Sequence, residues 1–448
     1  MLANIGFFVG GFLLTVLVLM GLLDATHGTP VSFVSSRGDK EPPAVDDPVF
    51  LDTIEIYTTT PIHDGHELEI FHNGDTTYPR LWADIRAAKR FVAVQMYYCK
   101  KGKVADQLHA VLCERARAGV DVLFLHDSFG SSLKGDYVKS LKEAGVEVAR
   151  FRPVRIQSLN TVRHRAHIRA VVIDAEVGYT GGFGIDDKWL GDGRTDGHWR
   201  DTNVRFTGPA VGQLLGTFGS CWAEATGELI AGRYFAQKNQ KASSATGEQK
   251  SSAAVENRSK LRSGSSVVAG LLHAVPTVGS TDAERFFALS IASSRQKLYI
   301  TNSYFVPDDD FRRMLTLAAK RGVDVRVLAS GPKTDVKSTY YAGRAIYTEL
   351  LKSGVRIYEY MPTVLHAKTM VVDGAWGTIG TMNADNQSMA FNNESNLLVL
   401  DTTFAAALEK LYMEDLKYSK EITLEEFRKR PWYVRPVEQA AHLVARIL

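Results

Sequence analysis

The chain has 448 residues, enough for two domains of ordinary size or one large duplicated unit, and 45% of them are hydrophobic, enough for a substantial core. Its 53 basic and 50 acidic residues leave a formal charge of +3, too even a balance for a protein that holds nucleic acid through net charge alone. Cys99, Cys113 and Cys221 are too widely spaced for a CxxC metal pair or a disulfide framework.

The first 23 residues carry no charged side chain, and 5–23 are almost entirely apolar or glycine. About 20 such residues make a helix long enough to cross the hydrocarbon core. A cleavable signal has a shorter apolar run behind a basic segment, and no Lys or Arg precedes this one. An uncleaved transmembrane anchor over 1–25 is therefore expected. Arg37 and Lys40 follow it, which by the positive-inside rule places the globular part in the cytoplasm. Residues 26–50, rich in Pro, Gly, Ser and charge, read as a tether. Residues 237–265 are small and polar and read as a flexible linker.

The segments on either side of that linker, 51–236 and 266–448, repeat one another. Helical patterns over 78–90 and 283–295 each lead into a β-rich run, 91–98 and 297–305. Arg117-Ala-Gly-Val-Asp-Val122 is echoed by Arg321-Gly-Val-Asp-Val325, and Ala144-Gly-Val-Glu-Val148 by Ser353-Gly-Val-Arg-Ile357. Each glycine in these pairs suits a helix C-cap with positive φ before a buried strand. Two strands led by histidine close the halves: His167-Ile-Arg-Ala-Val-Val-Ile-Asp174 and, 199 residues later, His366-Ala-Lys-Thr-Met-Val-Val-Asp373. The alternation predicts an α/β fold with a mainly buried sheet in each half.

Side chains alternate along a strand, so His366 and Lys368 share a face while Asp373 points the other way, near a turn at Gly374. An imidazole beside a cation suits a phosphodiester: the ammonium neutralises an oxygen, and the ring attacks phosphorus or protonates a leaving oxygen. One such strand could arise by chance. Two, at matching places of a repeat, point to a site.

His366-x-Lys368-x₄-Asp373 followed by Gly380-Thr-Met-Asn383 resembles the signature of the phospholipase D superfamily, and within it the bacterial cardiolipin synthases. Tyr304-Phe-Val-Pro-Asp308, Leu365-His-Ala-Lys368, Asn383-Ala-Asp-Asn-Gln-Ser388 and Asn392-Asn-Glu394 carry the likeness in the second half. Gly181-Gly182, Trp199-Arg-Asp201 and Gly208-Pro-Ala-Val211 carry it in the first. The resemblance implies two phospholipase D-like halves packed around one active site, behind the anchor. It implies a phosphohistidine intermediate, with His167 as nucleophile and His366 as acid and base. Arg169 and Lys368 would hold the phosphoryl oxygens with Asn383. Asp201 and Glu394, 34 and 28 residues after their histidines, would orient the imidazoles across the site. Asp174 and Asp373 complete the motif set of candidate catalytic residues, with support of the strand ends as their expected part.

No metal or cofactor is implied, and the remaining histidines lack metal-ligand spacing. The expected partners are a phospholipid substrate and the bilayer of the bacterial inner membrane, with no nucleic acid. Two departures stand out: Arg169 where the family has Lys, and Gly184 where many members have Asn. Phosphatidyl transfer between phospholipids, giving cardiolipin and a released alcohol such as glycerol, is the leading expectation. Hydrolysis, a nuclease, or an inactive lipid-binding scaffold stay open. At the C-terminus, Phe427-Arg-Lys-Arg-Pro-Trp-Tyr433 precedes apolar Val437, Ala440, Ala441, Val444, Ile447 and Leu448 at helical spacing, fitting either a packed terminal helix or membrane-surface contact.

Overall fold

The computed structural model describes residues 30–153, 163–232 and 267–447, with Gly11 and Thr15 besides. All of the expected anchor but those two residues, and the 237–265 linker, lie outside the described residues, as does part of the tether. Among the described residues no helix is long and apolar enough to cross a membrane.

The strands are, in chain order, β1 (His63–His66), β2 (Leu68–His72), β3 (Phe91–Met96), β4 (Asp121–Asp127), β5 (Glu147–Phe151), β6 (Arg169–Ile173), β7 (Val177–Gly181) and β8 (Thr202–Thr207), then β9 (Val267–Ala274), β10 (Lys297–Asn302), β11 (Asp324–Ser330), β12 (Arg356–Tyr360), β13 (Thr369–Val372), β14 (Trp376–Gly380), β15 (Glu394–Leu400) and β16 (Ser419–Ile422). One sheet has the order β2-β8-β7-β6-β3-β4-β5, the other β1-β9-β15-β14-β13-β10-β11-β12-β16. Without its two edge strands the second sheet repeats the first strand for strand, so the duplication read from the motifs is a duplication of topology. β1 belongs to the second sheet, where it pairs with β9. Residues 63–66 thus lie spatially with the second half, although they precede the linker.

Gly119, Gly145, Gly322 and Gly354 all have φ between 82° and 95°, the left-handed C-cap that ends each helix before its strand. The helix Asp282–Ala292 starts at a capping box of Thr281 and Glu284. The helix Asn73–Ala87 begins before the expected 78 and carries Pro79 within it. The Thr76 and Thr77 hydroxyls bond back to the carbonyls of His72 and Asn73, holding the extra turn.

Each sheet is covered on its outer face mainly by the helices of its own half, and the helix Pro48–Thr58, from before the linker, packs on the second sheet through Phe50 and Ile54. Between the sheets lie the helices Ala210–Thr226 and Thr402–Leu416. Leu214, Phe218 and Trp222 meet Phe404 and Leu408 there, with Val172 and Val204 of one sheet and Leu271 and Leu397 of the other. This shared core fixes the halves face to face, and their matching strand ends converge at one place.

Candidate active site

β6 reads Arg-Ala-Val-Val-Ile and is buried throughout, held between β3 and β7; β13 lies likewise between β10 and β14. Each histidine sits just before its strand, so both reach the seam between the halves. His167 is 7% and His366 3% exposed.

Two short backbone pairings stitch that seam. Ala166 bridges to Asn393 and Arg200 to Leu365. The amide of Asn393 donates to the carbonyl of Arg165, and that of His366 to the carbonyl of Arg200. The residue before each histidine is therefore paired with the residue before the other half's carboxylate. The carboxylates cross over in consequence. His167 Nδ1 lies 2.9 Å from Glu394 Oε1, and His366 Nδ1 lies 2.9 Å from Asp201 Oδ2. A carboxylate on Nδ1 fixes which tautomer Nε2 presents to the site.

The two carboxylates are held differently. Trp189 Nε1 donates to Asp201 at 2.8 Å, as does the Thr202 amide. Glu394 accepts from the Thr381 hydroxyl at 2.5 Å and the Asn392 amide at 3.3 Å. The Gly184 departure follows from the same asymmetry. A Cβ at Gly184 would lie 2.7 Å from the Trp189 ring, so this indole fills the space in which Asn383 stands in the other half. Trp189, Thr381 and Asn392 have no role that the sequence alone reveals. Thr381 and Asn392 stand inside the quoted motifs without an assigned contact, and Trp189 has no signal there.

Arg169 and Lys368 are 1% and 2% exposed. Arg169 donates through one terminal nitrogen to the carbonyl of His167, and Lys368 donates to the carbonyl of His366. The Arg169 Nε has no partner among the described residues. Asn383 accepts from the Ser303 hydroxyl at 2.7 Å, which turns its amide nitrogen away from Ser303. Tyr97 meets the His167 ring edge-on at 5.0 Å, and Tyr304 meets that of His366 at 6.4 Å.

Burial dominates the electrostatics. It lowers His366 to about 3, with Lys368 adding to the effect, and lowers His167 well below the usual range, with Arg169 and Lys368 adding. It draws the Lys368 ammonium down to about 7 and pushes Glu394 up to about 8. Burial pushes Asp201 upward too, but His366, Lys368 and the Trp189 N–H together outweigh it and hold Asp201 below the ordinary value. The arrangement offers an anion two neutral imidazoles, the Arg169 guanidinium and a Lys368 ammonium that titrates near neutrality.

Asp174 and Asp373, named above among the candidate catalytic residues, are not brought to this centre. They lie past the far ends of β6 and β13. Asp174 accepts the amides of Lys89, Arg90 and Phe91, and Asp373 those of Arg295, Gln296 and Lys297. Each ties its strand end to the start of the neighbouring strand, because the strand's length separates the motif's first and last residues.

Residues 289–416 match the family described as "Cardiolipin synthase, PLD-like domain". A cardiolipin synthase of Geobacillus sp. (strain WCH70) is 34% identical over 391 residues, 87% of this chain and 74% of that protein. Cardiolipin synthase A of Pseudomonas fluorescens (strain SBW25) is 32% identical over 86% of this chain and 74% of its own length. Among solved structures, phosphatidylserine synthase of Haemophilus influenzae Rd KW20 matches with a TM-score of 0.65 and 14% identity, over 89% of this chain and all of that one, a likeness of fold. The duplicated sheets, the paired histidine motifs and these relatives agree: the chain belongs to the cardiolipin synthase family of the phospholipase D superfamily.

Proposed function

We propose that the protein joins two phosphatidylglycerol molecules into cardiolipin and releases glycerol. The observation that carries this reading is the crossed pair of buried histidine–carboxylate contacts flanked by Arg169 and Lys368, in a chain whose relatives are named cardiolipin synthases. His167 Nε2 attacks the phosphorus of the first lipid. The bond to glycerol breaks as His366 gives that oxygen a proton. The hydroxyl of the second lipid then passes its proton to His366 and attacks the phosphohistidine, which releases His167. Arg169, Lys368 and the Asn383 amide hold the phosphoryl oxygens, and Glu394 and Asp201 orient the rings. A bound phosphodiester anion offsets the two cations and raises the proton affinity of His366, which the acid step needs.

Contact with the bilayer fits the terminal helix Val434–Ile447. Its inner side is clamped by Glu438, which pairs with Arg344 and Arg430. Trp432, Tyr433, Val437, Leu443 and Val444 are exposed beside Arg428, Lys429 and Arg435. In this reading residues 1–25 cross the inner membrane and the catalytic part faces the cytoplasm. Carbonate extraction should leave the full-length protein in the membrane pellet; release into the supernatant would remove the anchor.

The test of the reaction is incubation with labelled phosphatidylglycerol in mixed micelles. Cardiolipin and glycerol in equal amounts are expected. Phosphatidic acid as the dominant product would make the protein a hydrolase, and lipid binding without turnover would make it a scaffold.

A further inference from the structure

Lys188 is a cation that the transfer scheme does not use. It lies in the short turn of helix Asp187–Trp189, with its ammonium 3.5 Å from the centre of the Trp199 ring, 3.7 Å from that of Tyr98 and 5.0 Å from that of Trp189. Trp199 and Trp189 also touch His366, at 5.1 and 5.5 Å between ring centres. A single indole therefore separates the ammonium from the imidazole.

The aromatic faces attract the charge but accept none of its N–H bonds in the manner of an oxygen. The nearby carboxylates make their hydrogen bonds elsewhere. Asp186 takes the backbone amide of Lys188 itself, Asp187 takes those of Lys103 and Val104, and Asp335 takes the Tyr304 hydroxyl. No ion pair joins Lys188 to any of them among the described residues. Lys100 stands over the same Tyr98 ring at 5.3 Å, a second cation beside the cage, while Asp186 and Asp335 act on Lys188 from nearby without pairing with it. Burial lowers the Lys188 ammonium to about 8, with Asp186 and Asp335 opposing the shift and Lys100 and Arg169 adding to it.

We propose that Lys188, caged by Tyr98, Trp189 and Trp199, binds the phosphate of the acceptor phospholipid. The proposal rests on the transfer reading above. An acceptor such as phosphatidylglycerol brings a phosphodiester anion of its own, three carbons from the hydroxyl that must reach His366. That anion has to lie to one side of the imidazole, apart from Arg169 and Lys368, which hold the reacting phosphoryl group. The departing glycerol is uncharged and water has no phosphate, so a second anion site serves only the acceptor. It selects transfer over hydrolysis by holding the incoming lipid beside the phosphohistidine.

The experiment offers the full-length enzyme phosphatidylglycerol as donor in micelles containing a neutral alcohol as competing acceptor. Cardiolipin, the alcohol ester and phosphatidic acid are all counted. Lys188→Gln should lower the ratio of cardiolipin to alcohol ester about tenfold or more, the loss of one charge-assisted hydrogen bond to phosphate. Lys188→Arg should restore most of that ratio. A ratio unmoved by Lys188→Gln, whether total turnover stays or falls, overturns the acceptor site. A parent protein that makes phosphatidic acid but no cardiolipin overturns the transfer reading and this site with it.

Discussion

His167 and Glu394 stand 227 residues apart in the chain and 2.9 Å apart in the fold, and His366 and Asp201 repeat the relationship in mirror order. Neither half holds a complete histidine–carboxylate pair of its own. The centre exists only where the two sheets meet, so its integrity reports on the packing of the whole molecule.

Replacing an orienting carboxylate by its amide should separate chemistry from binding. Asp201→Asn can offer an N–H to His366 Nδ1 and thereby favour the wrong tautomer. Turnover should fall about 10²- to 10⁴-fold with little change in KM. Glu394→Gln should act likewise on His167. Steady-state kinetics beside a thermal melt checks this: a loss that tracked the melting temperature alone would make both groups merely structural.

Arg169 keeps the positive charge of the family's lysine in a site that is 1% exposed. Arg169→Lys should retain measurable turnover. Arg169→Ala should lose about 1.5–3 kcal/mol of phosphate interaction, a drop of tenfold or more in kcat/KM. Activity higher in Arg169→Lys than in a nearly silent parent would instead mark the first half-site as decayed.

The pH profile should bear the imprint of Lys368. Burial lowers its ammonium to about 7, so the free enzyme loses this cation as the pH rises through that value. kcat/KM, which reports ionisations of the free enzyme, should therefore decline on the alkaline side of neutrality. In Lys368→Arg the guanidinium stays charged, and the decline should move to higher pH. An unshifted profile in an active Lys368→Arg variant would assign the limb to another group.

Gly184 leaves room for Trp189, whose ring would lie 2.7 Å from an added Cβ. Gly184→Asn, although it restores the residue common in the family, should destabilise the fold by about 1–3 kcal/mol through overpacking. It should also disturb the Trp189 bond to Asp201. Differential scanning calorimetry checks the first effect, and an unchanged melting temperature would mean that the indole does not bar a side chain from position 184.

Arg200 and Asp415 form an ion pair at 2.8 Å between the halves, with side chains 2% and 4% exposed. Arg200→Ala strands a buried carboxylate and should cost about 3–5 kcal/mol. A joint Arg200→Met, Asp415→Leu replacement should cost much less. Denaturant melts of the three proteins decide between a buried pair and an idle one.

The sequence by itself determined the duplication, the sheet in each half and the motif residues. Those features rest on local rules: φ at Gly119 and Gly322 is set by the turn they occupy, the runs around Val171 and Val371 declare buried strands, and the period of two puts His366 and Lys368 on one face. That Asp201 and Glu394 orient the imidazoles across the site comes from the family resemblance alone, since alternation along a strand names a face and not the partner across it. Strand-end support by Asp174 and Asp373 is expected from the sequence; which backbone amides they bind is not. The crossing of Asp201 and Glu394, the indole that replaces an asparagine beside Gly184, and the cage around Lys188 all come from contacts between distant segments. Only the packing of the two sheets on their shared core decided them, because that packing alone sets which strand ends face one another.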